Sequence, residues 1–436
     1  MEISQASAIC KVFVALQHTT IKEATNTVLF NERFGYRYKW KYAELPEKAE
    51  FPLKELLSAK NTGISHDDIR TNLVWEPHIK GSDGEWKAFS YKLKNQTGKK
   101  FVSHRTPIGM DLFAGAGGTA LGFQEAGLDI RWSVEMDRRA AETLRHNSND
   151  TKHVIVEEDA KIVLKSMREG KKKDELPAPE GLDTLHASPN CQDYSLANPF
   201  RGRKVGDSNN TTRLSTEYAE YVLPKVFTFE NVMGIVQGES RHLFQEVVAK
   251  LLALGYQVRG SVLNAMDYGD PQSRKRVILI AVQDGCELPK APEPTHGEGT
   301  GRAHVTTLEA IGDLETLDPE PVNPTDPDVS CSNLMHTVVG HQFRRDLKAF
   351  VVDHRQQVLQ SHKPAPTILC GKAVGHYNLD REATPREKAR LQGFPDNYVF
   401  KGSYLEQIKQ IGNAVPVGMA TAIGRTVMSC FLITTK

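Results

Sequence analysis

The sequence predicts an α/β fold with a mostly parallel sheet and one antiparallel strand. From Pro107 onwards, short apolar runs alternate with segments of helical periodicity, which is typical of strand–helix–strand units. The first run leads directly into the glycine-rich stretch Ala114 to Gly118, and a helical pattern follows. This order of strand, glycine turn and helix is found where α/β sheets bind nucleotides. The prediction therefore includes a ligand site at the carboxyl ends of the strands.

The composition is that of an ordinary globular protein and excludes several classes. The chain has 436 residues, of which 39% are hydrophobic and 25% charged, enough for about two or three domains. No apolar run approaches the roughly 20 residues of a membrane helix, so we expect no membrane partner. The start lacks the basic region of a signal peptide. The six scattered cysteines form no Cys-x-x-Cys pair, so we expect no metal and an intracellular location. The net charge of +1 means that any nucleic-acid surface must be local.

Residues 1–104 are predicted to be an N-terminal accessory region of unknown role. The stretch Tyr36 to Tyr42 alternates aromatic and basic residues. That pattern is typical of an amphipathic strand, although a strand facing nucleic acid would share it. The stretch Thr71 to Trp75 is also strand-like, and Gly81 to Gly84 is a turn signal.

The next three predicted strands build a ligand edge. Ile108 to Phe113 is followed by the glycine turn and a helix from Thr119 to Ala126, and Ile130 to Val134 ends at Glu135. An acid at the tip of a second strand is placed to bond ribose hydroxyls, and the adjacent Met136 could pack on an adenine. A helix over 138–147 and a strand over 154–156 precede Asp159, which either reaches an adenine amine or is simply solvated.

A candidate nucleophile follows the predicted strand 182–187. Cys191 lies in a loop just past that strand, where a thiolate can be exposed, although a lone cysteine is more often a small buried residue. Residues 198–213 are predicted to be a polar loop that closes over a polyanion or is merely solvated. A strand over 225–229 ends at Glu230, so a carboxylate and the thiol could share one pocket. Helix 241–254 and strands 256–264 and 277–282 complete the sheet, the last of them antiparallel.

An ordered set of motifs resembles the DNA (cytosine-5) methyltransferase family between Pro107 and about Arg425. Asp111 to Gly118 resembles its cofactor loop, and Glu135 its ribose-binding acid. The other matching motifs are Cys191-Gln192 with Ser195, Glu230-Asn231-Val232, Gln272-x-Arg274-x-Arg276, Arg386 to Asp396 and Gly412 to Pro416. Each motif is modest alone, but the whole set in this order is specific.

The resemblance implies a Rossmann-like S-adenosylmethionine-dependent methyltransferase fold with a small target-recognition lobe. It implies a covalent Cys191 adduct at carbon 6 of a flipped cytosine in double-stranded DNA, with Glu230 at ring nitrogen 3. Arg276 would grip the base carbonyl, and Arg274 a phosphate or the loop. The cofactor, S-adenosylmethionine, would be held by a set of loop and strand-end residues: Asp111, Phe113, Gly115, Gly117, Glu135, Met136, Asp159, Asn413 and Val415.

Two departures from the family pattern are visible. Asn190 stands where the family has a proline before the nucleophile, which removes a ring that fixes φ and could lower the rate. The recognition region is also short. We predict a catalytic domain over 105–317, a recognition region over 318–362 and a C-terminal part of the catalytic domain over 363–436. The polar set within 318–362 suits phosphate and base-edge contacts, or an ordinary surface: His336, His341, Gln342, Arg344, Arg345 and Lys348.

Two other functions stay open. The tRNA-methylating branch of the family shares the catalytic set, but the Cys-Phe-Thr element of that branch is not found; the chain reads Ile368 to Lys372 as Ile-Leu-Cys-Gly-Lys. The second is a DNA-binding regulator with a decayed site, which Asn190 keeps open. Location would be nuclear in a eukaryote, which the long N-terminal region favours, or cytoplasmic in a bacterium.

Overall fold

A computed structural model describes most of the chain after residue 97. It covers residues 98–148, 152–171, 176–177, 181–190, 206–236, 241–316, 320–322, 342–344, 357–370, 373–379 and 381–434, with four strands nearer the N-terminus. Cys191, Gln192 and Ser195 lie outside the described residues. So do the turn at 81–84 and most of the predicted recognition region 318–362.

The strands are numbered in chain order: β1 Val28–Leu29, β2 Arg37–Lys39, β3 Leu73–His78, β4 Ala88–Leu93, β5 Phe101–Ser103, β6 Ile108–Leu112, β7 Asp129–Glu135, β8 Val154–Glu157, β9 Thr184–Ala187, β10 Val226–Val232, β11 Gln257–Asn264, β12 Lys275–Val282, β13 Glu320–Val322, β14 Gln342–Arg344, β15 Gln357–Val358, β16 Val374–Gly375 and β17 Phe431–Ile433. The α-helices are α1 Gly118–Glu125, α2 Arg138–Asn147, α3 Ala160–Arg168, α4 Gly206–Val222, α5 Arg241–Ala253, α6 Thr307–Ile311, α7 Pro385–Leu391, α8 Tyr404–Asn413 and α9 Val417–Met428.

The chain divides into two compact units. The first comprises Met1–Phe101, Pro189–Val262 and Val277–Ala291, and the second Val102–Ser188, Leu263–Arg276 and Pro292–Lys436. The second unit contains the parallel strands β9-β6-β7-β8 in that order. All five residues of β6 are buried, as expected of a central parallel strand.

Helices α1 and α9 pack closely within the second unit. Gly122 has no Cβ, and one built there would lie 2.6 Å from the Ala420 Cβ and 2.8 Å from the Val417 carbonyl oxygen. The hydroxyl of Thr421 on α9 also donates to a Glu125 carboxylate oxygen at 2.9 Å. Helix α9 therefore packs directly against the helix that follows the glycine turn.

The first unit contains strands in the order β3-β4-β11-β12-β10. Strand β4 pairs antiparallel with both β3 and β11. The accessory region therefore contributes two strands, β3 and β4, to this sheet. Helices α4 and α5 pack against each other here.

The prediction of a polar loop over 198–213 is wrong for residues 206–213, and residues 198–205 lie outside the described part of the chain. Residues 206–213 form the first half of α4. Asn, Asp and Gly are poor helix formers, so local propensity points to a loop. The helix is set by its second half, where Ser215, Tyr218, Ala219 and Val222 are buried at helical spacing.

The α/β fold class with a mostly parallel sheet is confirmed. Most predicted element bounds lie within about two residues of those observed, which is the usual uncertainty of helix and strand ends. Strand β10 is longer than predicted, because Glu230, Asn231 and Val232 continue it. In the part of the chain described, no helix is long and apolar enough to span a membrane.

Candidate functional site

The glycine turn between β6 and α1 has an unusual backbone. Gly115 and Gly117 have φ angles of 54° and 87°, and Phe113 has a φ of 59° without being glycine. A left-handed conformation at an aromatic residue is strained, and such strain is concentrated at functional sites. The turn is therefore a candidate ligand-binding loop, and the cofactor role of these residues stays a prediction.

Glu135 ties this turn to the end of β7. One carboxylate oxygen accepts the N–H of Gly115 at 2.7 Å, and the other accepts the N–H of Asp137 at 2.7 Å. Burial raises the pKa of Glu135, while these two amides oppose the shift. The carboxylate is thus fixed beside the turn and keeps lone pairs that could accept hydroxyl donors.

Asp111 is the most unusual acid of the second unit. It is 1% exposed, and by hydrogen-bond geometry neither carboxylate oxygen has a partner among the described residues. Burial, followed by the charge of Glu135, holds the pKa of Asp111 well above its usual range, against the weaker effect of the Ala120 amide. A buried carboxyl without a partner is costly unless a ligand completes the site. The pair of acids fits a cationic group, as the ammonium and sulfonium of S-adenosylmethionine would require.

Met136 and Asp159 lie at the same edge of the parallel strands. Met136 is 71% exposed directly after Glu135. Glu157, the last residue of β8, pairs in register with Glu135, and Asp159 follows two residues later. The Asp159 carboxylate caps α3 by accepting the N–H of Lys161 at 2.7 Å. The structure therefore brings these predicted adenine contacts to the edge that carries Glu135, with Asp159 also serving as a helix cap.

Residues 412–415 return to the glycine turn. A Cβ built on Gly118 would lie 2.3 Å from the carbonyl oxygen of Val415, so the first turn of α1 and this segment touch. Val415 is buried, whereas Asn413 is exposed at the end of α8. Val415 is thus adjacent to the turn in space, and Asn413 lies two residues before it in the chain.

Substitution of Gly118 by Ala is expected to destabilise the protein by about 1–3 kcal/mol, because the added methyl group would overlap a backbone oxygen that cannot rotate away. The thermal midpoint followed by circular dichroism would measure this. Gly299→Ala is a matched control: its φ is 79° but nothing lies within 4 Å of the added Cβ, so only the backbone strain of roughly 1–2 kcal/mol applies. S-adenosylmethionine binding should weaken in the Gly118 variant alone. Unchanged binding there would contradict the placement of residues 412–415.

Arg274 holds the 412–415 segment in place. Its guanidinium donates to the carbonyl oxygens of Ile368 at 2.9 Å, Gly412 at 3.0 Å and Ala414 at 3.1 Å, and the side chain is buried. The contact of Arg274 with a phosphate or the loop stays a prediction. Arg276 is also buried and donates to the Lys275 carbonyl oxygen at 2.8 Å.

Two residues that hold neighbouring segments in place, Gln272 and Asp270, are not predicted as such from the sequence. Gln272 accepts the N–H of Ile368 at 2.7 Å and donates to the Leu391 carbonyl oxygen at 3.0 Å. Asp270 accepts the N–H groups of Gly418 and Met419 at 2.9 and 2.8 Å and so caps α9, and burial raises its pKa to about 7. Gln272 belongs to a motif that was recognised, but nothing in the sequence points Asp270 towards α9.

The first unit connects the predicted nucleophile loop to the Glu-Asn-Val motif. The Asn231 side-chain amide donates to the Pro189 carbonyl oxygen at 3.2 Å, and Asn231 is fully buried. Glu230, next to it on β10, is 7% exposed. Cys191 is two residues beyond Pro189 and lies outside the described part of the chain.

Metal ligands are not grouped in the described parts of the chain. No cluster of three or more His, Cys, Asp or Glu side chains there could hold a metal ion. His186 is a buried residue of β9.

Comparison with known proteins places this site in a family. A family model described as C-5 cytosine-specific DNA methylase matches residues 109–429. Type II methyltransferase M1.HphI of Haemophilus parahaemolyticus is 31% identical over 360 residues, which cover 79% of this chain and 92% of that protein. DNA (cytosine-5)-methyltransferase 3 of Arabidopsis thaliana is 26% identical, covering 72% of this chain and 30% of that protein.

Solved structures support the fold alone. A protein from an E. coli prophage described as a DNA modification methyltransferase has a TM-score of 0.59 at 22% identity, covering 74% of this chain and 98% of the other. The Dnmt2 methyltransferase of S. pombe has a TM-score of 0.51 at 16% identity with the same coverage.

Proposed function

We propose a mechanism from one premise: this chain belongs to the C-5 cytosine-specific DNA methylases and is a DNA (cytosine-5) methyltransferase. The proposal is that Cys191 forms a covalent adduct with a flipped cytosine of double-stranded DNA and that the methyl donor is S-adenosylmethionine. The hydrogen bond from Asn231 to the Pro189 carbonyl carries it, because this bond ties the base of the Cys191 loop to the strand that bears Glu230.

Bound S-adenosylmethionine would supply the methyl group as a sulfonium electrophile. The turn from Phe113 to Gly117 would take its amino-acid end, with the Asp111 carboxylate facing the cationic groups. Glu135 would accept from the ribose hydroxyls, since one of its oxygens is already held beside the turn by the Gly115 amide.

The protein's own chemistry starts with Cys191. Carbon 5 of cytosine is a weak nucleophile, and addition of the Cys191 thiolate to carbon 6 moves electron density onto it. Glu230 would hold a proton at ring nitrogen 3, where charge develops during this addition. After methylation, loss of the carbon 5 proton restores the double bond, and the bond between carbon 6 and Cys191 breaks. Arg276 would hold the base carbonyl during these steps.

The substrate base must leave the duplex before any of this can happen. Neither face of carbon 6 is open to a side chain within stacked, paired bases, and extruding a base requires a few kcal/mol. Contacts to the phosphates and to neighbouring bases would supply that energy. The recognition region predicted at 318–362 is assigned this task.

The test uses duplex DNA carrying 5-fluorocytosine, incubated with the protein and S-adenosylmethionine and run on a denaturing gel. Fluorine at carbon 5 cannot leave as a proton does, so the Cys191 adduct should persist. It should require the cofactor, disappear in Cys191→Ala and remain in Cys370→Ala, a matched control at a partly buried free cysteine. If the adduct forms only on RNA carrying 5-fluorocytosine, the substrate is RNA and not DNA. If the adduct survives Cys191→Ala, Cys191 is not the nucleophile.

S-adenosylmethionine affinity is expected to fall as the pH is lowered. The pKa of Asp111 is raised in the ligand-free protein, so its carboxyl takes up a proton as the pH falls, and only the ionised form attracts a cation. Isothermal titration calorimetry at each pH measures the effect, and Asp111→Asn should bind more weakly with a flatter pH profile. Glu135→Gln is the comparison, because the pKa of Glu135 is raised as well. A slope retained in Asp111→Asn but lost in Glu135→Gln would assign the titration to Glu135.

The proposed location is nuclear in a eukaryotic host and cytoplasmic in a bacterial one. Most of the relatives named by the comparisons are bacterial proteins, and they give the nuclear location no support. The nuclear and cytoplasmic alternatives both stay predictions from the sequence.

A further inference from the structure

His186 connects the glycine turn to the residues that lead into the Cys191 loop. Its Nε2 lies 2.7 Å from the Ser188 hydroxyl and 3.5 Å from the Thr119 hydroxyl. Thr119 is in the first turn of α1, directly after the glycines, and Ser188 follows β9, three residues before Cys191. All three residues lie in the second unit. One imidazole nitrogen therefore faces both segments.

The environment of His186 suits a fixed, neutral ring. The side chain is 2% exposed, and burial lowers its pKa to about 3. Its ring packs edge-on against Phe123, with centroids 5.3 Å apart. A neutral imidazole packed against an aromatic ring offers a directional hydrogen bond and no charge. The ring is thus suited to orienting Ser188 and unsuited to proton transfer at neutral pH.

The chain before Cys191 has an unusual need for such support. Asn190 takes the position of a proline in the family pattern, so a ring that would fix φ is missing directly before the nucleophile. Other contacts hold the preceding residues. The Ser188 N–H donates to the Leu112 carbonyl oxygen at 3.2 Å, which extends the β6–β9 pairing by one residue. Asn231 holds the Pro189 carbonyl oxygen.

We propose that His186 is a positioning residue: through Ser188 it fixes the start of the Cys191 loop, and it replaces the rigidity that a proline at position 190 would give. Through its contact with Thr119, His186 also holds Ser188 at a fixed position relative to the cofactor turn. The inference rests on the proposed role of Cys191 but adds residues and a compensation that this role does not require.

The experiment measures the single-turnover rate of methyl transfer to duplex DNA, together with the dissociation constant for S-adenosylhomocysteine. His186→Phe keeps an aromatic ring against Phe123 and removes the hydrogen bond, and Ser188→Ala removes only the hydroxyl. Each should slow methyl transfer by about tenfold, since small displacements of a reacting group have effects of this order or more. Cofactor affinity should change by less than about twofold. The double variant should be no slower than the slower single variant, because the two changes break one bond.

The decisive variant is Asn190→Pro. Introduced alone, it should leave the rate within about threefold of the parent, since the loop is already anchored. Combined with Ser188→Ala, it should restore most of the lost rate, because the proline ring supplies the missing restraint. A merely structural role for His186 would predict no such rescue.

His153→Phe is the matched control, because it breaks another histidine–serine bond in the same unit, Nε2 to the Ser133 hydroxyl at 2.9 Å. It should leave the rate unchanged. Additive losses in His186→Phe and Ser188→Ala, or equal effects of Asn190→Pro in both backgrounds, would overturn the inference. If Asn190→Pro blocks the reaction by itself, the inference is still tested by whether the losses of rate in His186→Phe and Ser188→Ala are additive. Failure of the proposed function shows separately, as a parent protein whose methyl transfer does not depend on Cys191.

Discussion

Replacement of Glu230 by Gln is expected to lower kcat by about 10²–10³-fold, the loss typical of removing one group aimed at developing charge. Glutamine keeps nearly the same shape and can still donate through its amide, but it cannot supply an acidic proton to ring nitrogen 3. Glu230 is buried on β10 beside Asn231, so bulk water cannot readily take its place. Because the change acts on the chemical step, DNA affinity should hold within about threefold.

Single-turnover kinetics with radiolabelled S-adenosylmethionine would measure this loss. Glu220→Gln is the matched control, since Glu220 lies in the same unit on α4, is exposed and pairs with Lys250 at 2.7 Å; its kcat should stay within about twofold. A Glu230→Gln protein that retains more than roughly a third of the parent rate would show that this carboxyl does not act at nitrogen 3.

Removal of Glu382 is expected to destabilise the protein by about 3–5 kcal/mol. The Lys388 ammonium has 0% side-chain exposure and is hydrogen-bonded to the Glu382 carboxylate. Burial lowers the pKa of Lys388, and the charge and hydrogen bond of Glu382 are the main opposing effects. In Glu382→Ala the ammonium would either lose its proton or draw water into the core. Both outcomes are costly.

Replacing both Glu382 by Leu and Lys388 by Met separates the cost of an unpaired buried charge from the contribution of the ion pair itself. It removes both charges at similar volume, so most of the lost stability should return, leaving the protein within about 1–2 kcal/mol of the parent. The urea midpoint, followed by tryptophan fluorescence, measures both variants. Arg138→Ala, which breaks the exposed pair with Glu142, should change stability by only about 0.5 kcal/mol. A double variant as unstable as Glu382→Ala would show that the ion pair itself stabilises the core.

The fold was predictable where periodic patterns and local capping agree. Helix α2 has the predicted bounds 138–147, because Asp137 caps it by accepting the N–H groups of Arg139 and Ala140 and its buried residues recur at helical spacing. Helix α4 shows the opposite: its polar first half has loop-like composition, and its packed second half determines the structure. The sequence of the first half alone cannot show that the burial of the second half makes it helical.

The candidate site was predictable as a set of residue types but not as a set of contacts. Asp111, Glu135 and the glycine turn were found because strand ends and glycines leave a local signal. The partners of Arg274 are 94, 138 and 140 residues further along the chain, and main-chain carbonyls are present at every residue. A side chain that binds carbonyls carries no complementary residue type to search for. The Asn231 bond to the Pro189 carbonyl was missed for the same reason.

The close packing of α1 with α9 bears on how the protein forms during synthesis. The hydroxyl of Thr421 reaches Glu125 across 296 positions of sequence. Contacts of such long separation are slow to form, because a large loop must close before they contribute. A ribosome making the chain from the N-terminus completes the glycine turn early, yet it delivers the helix that covers α1 only near residue 428. The apolar surface of α1 therefore stays uncovered throughout the intervening translation, and this interval is when the growing chain most needs protection from aggregation.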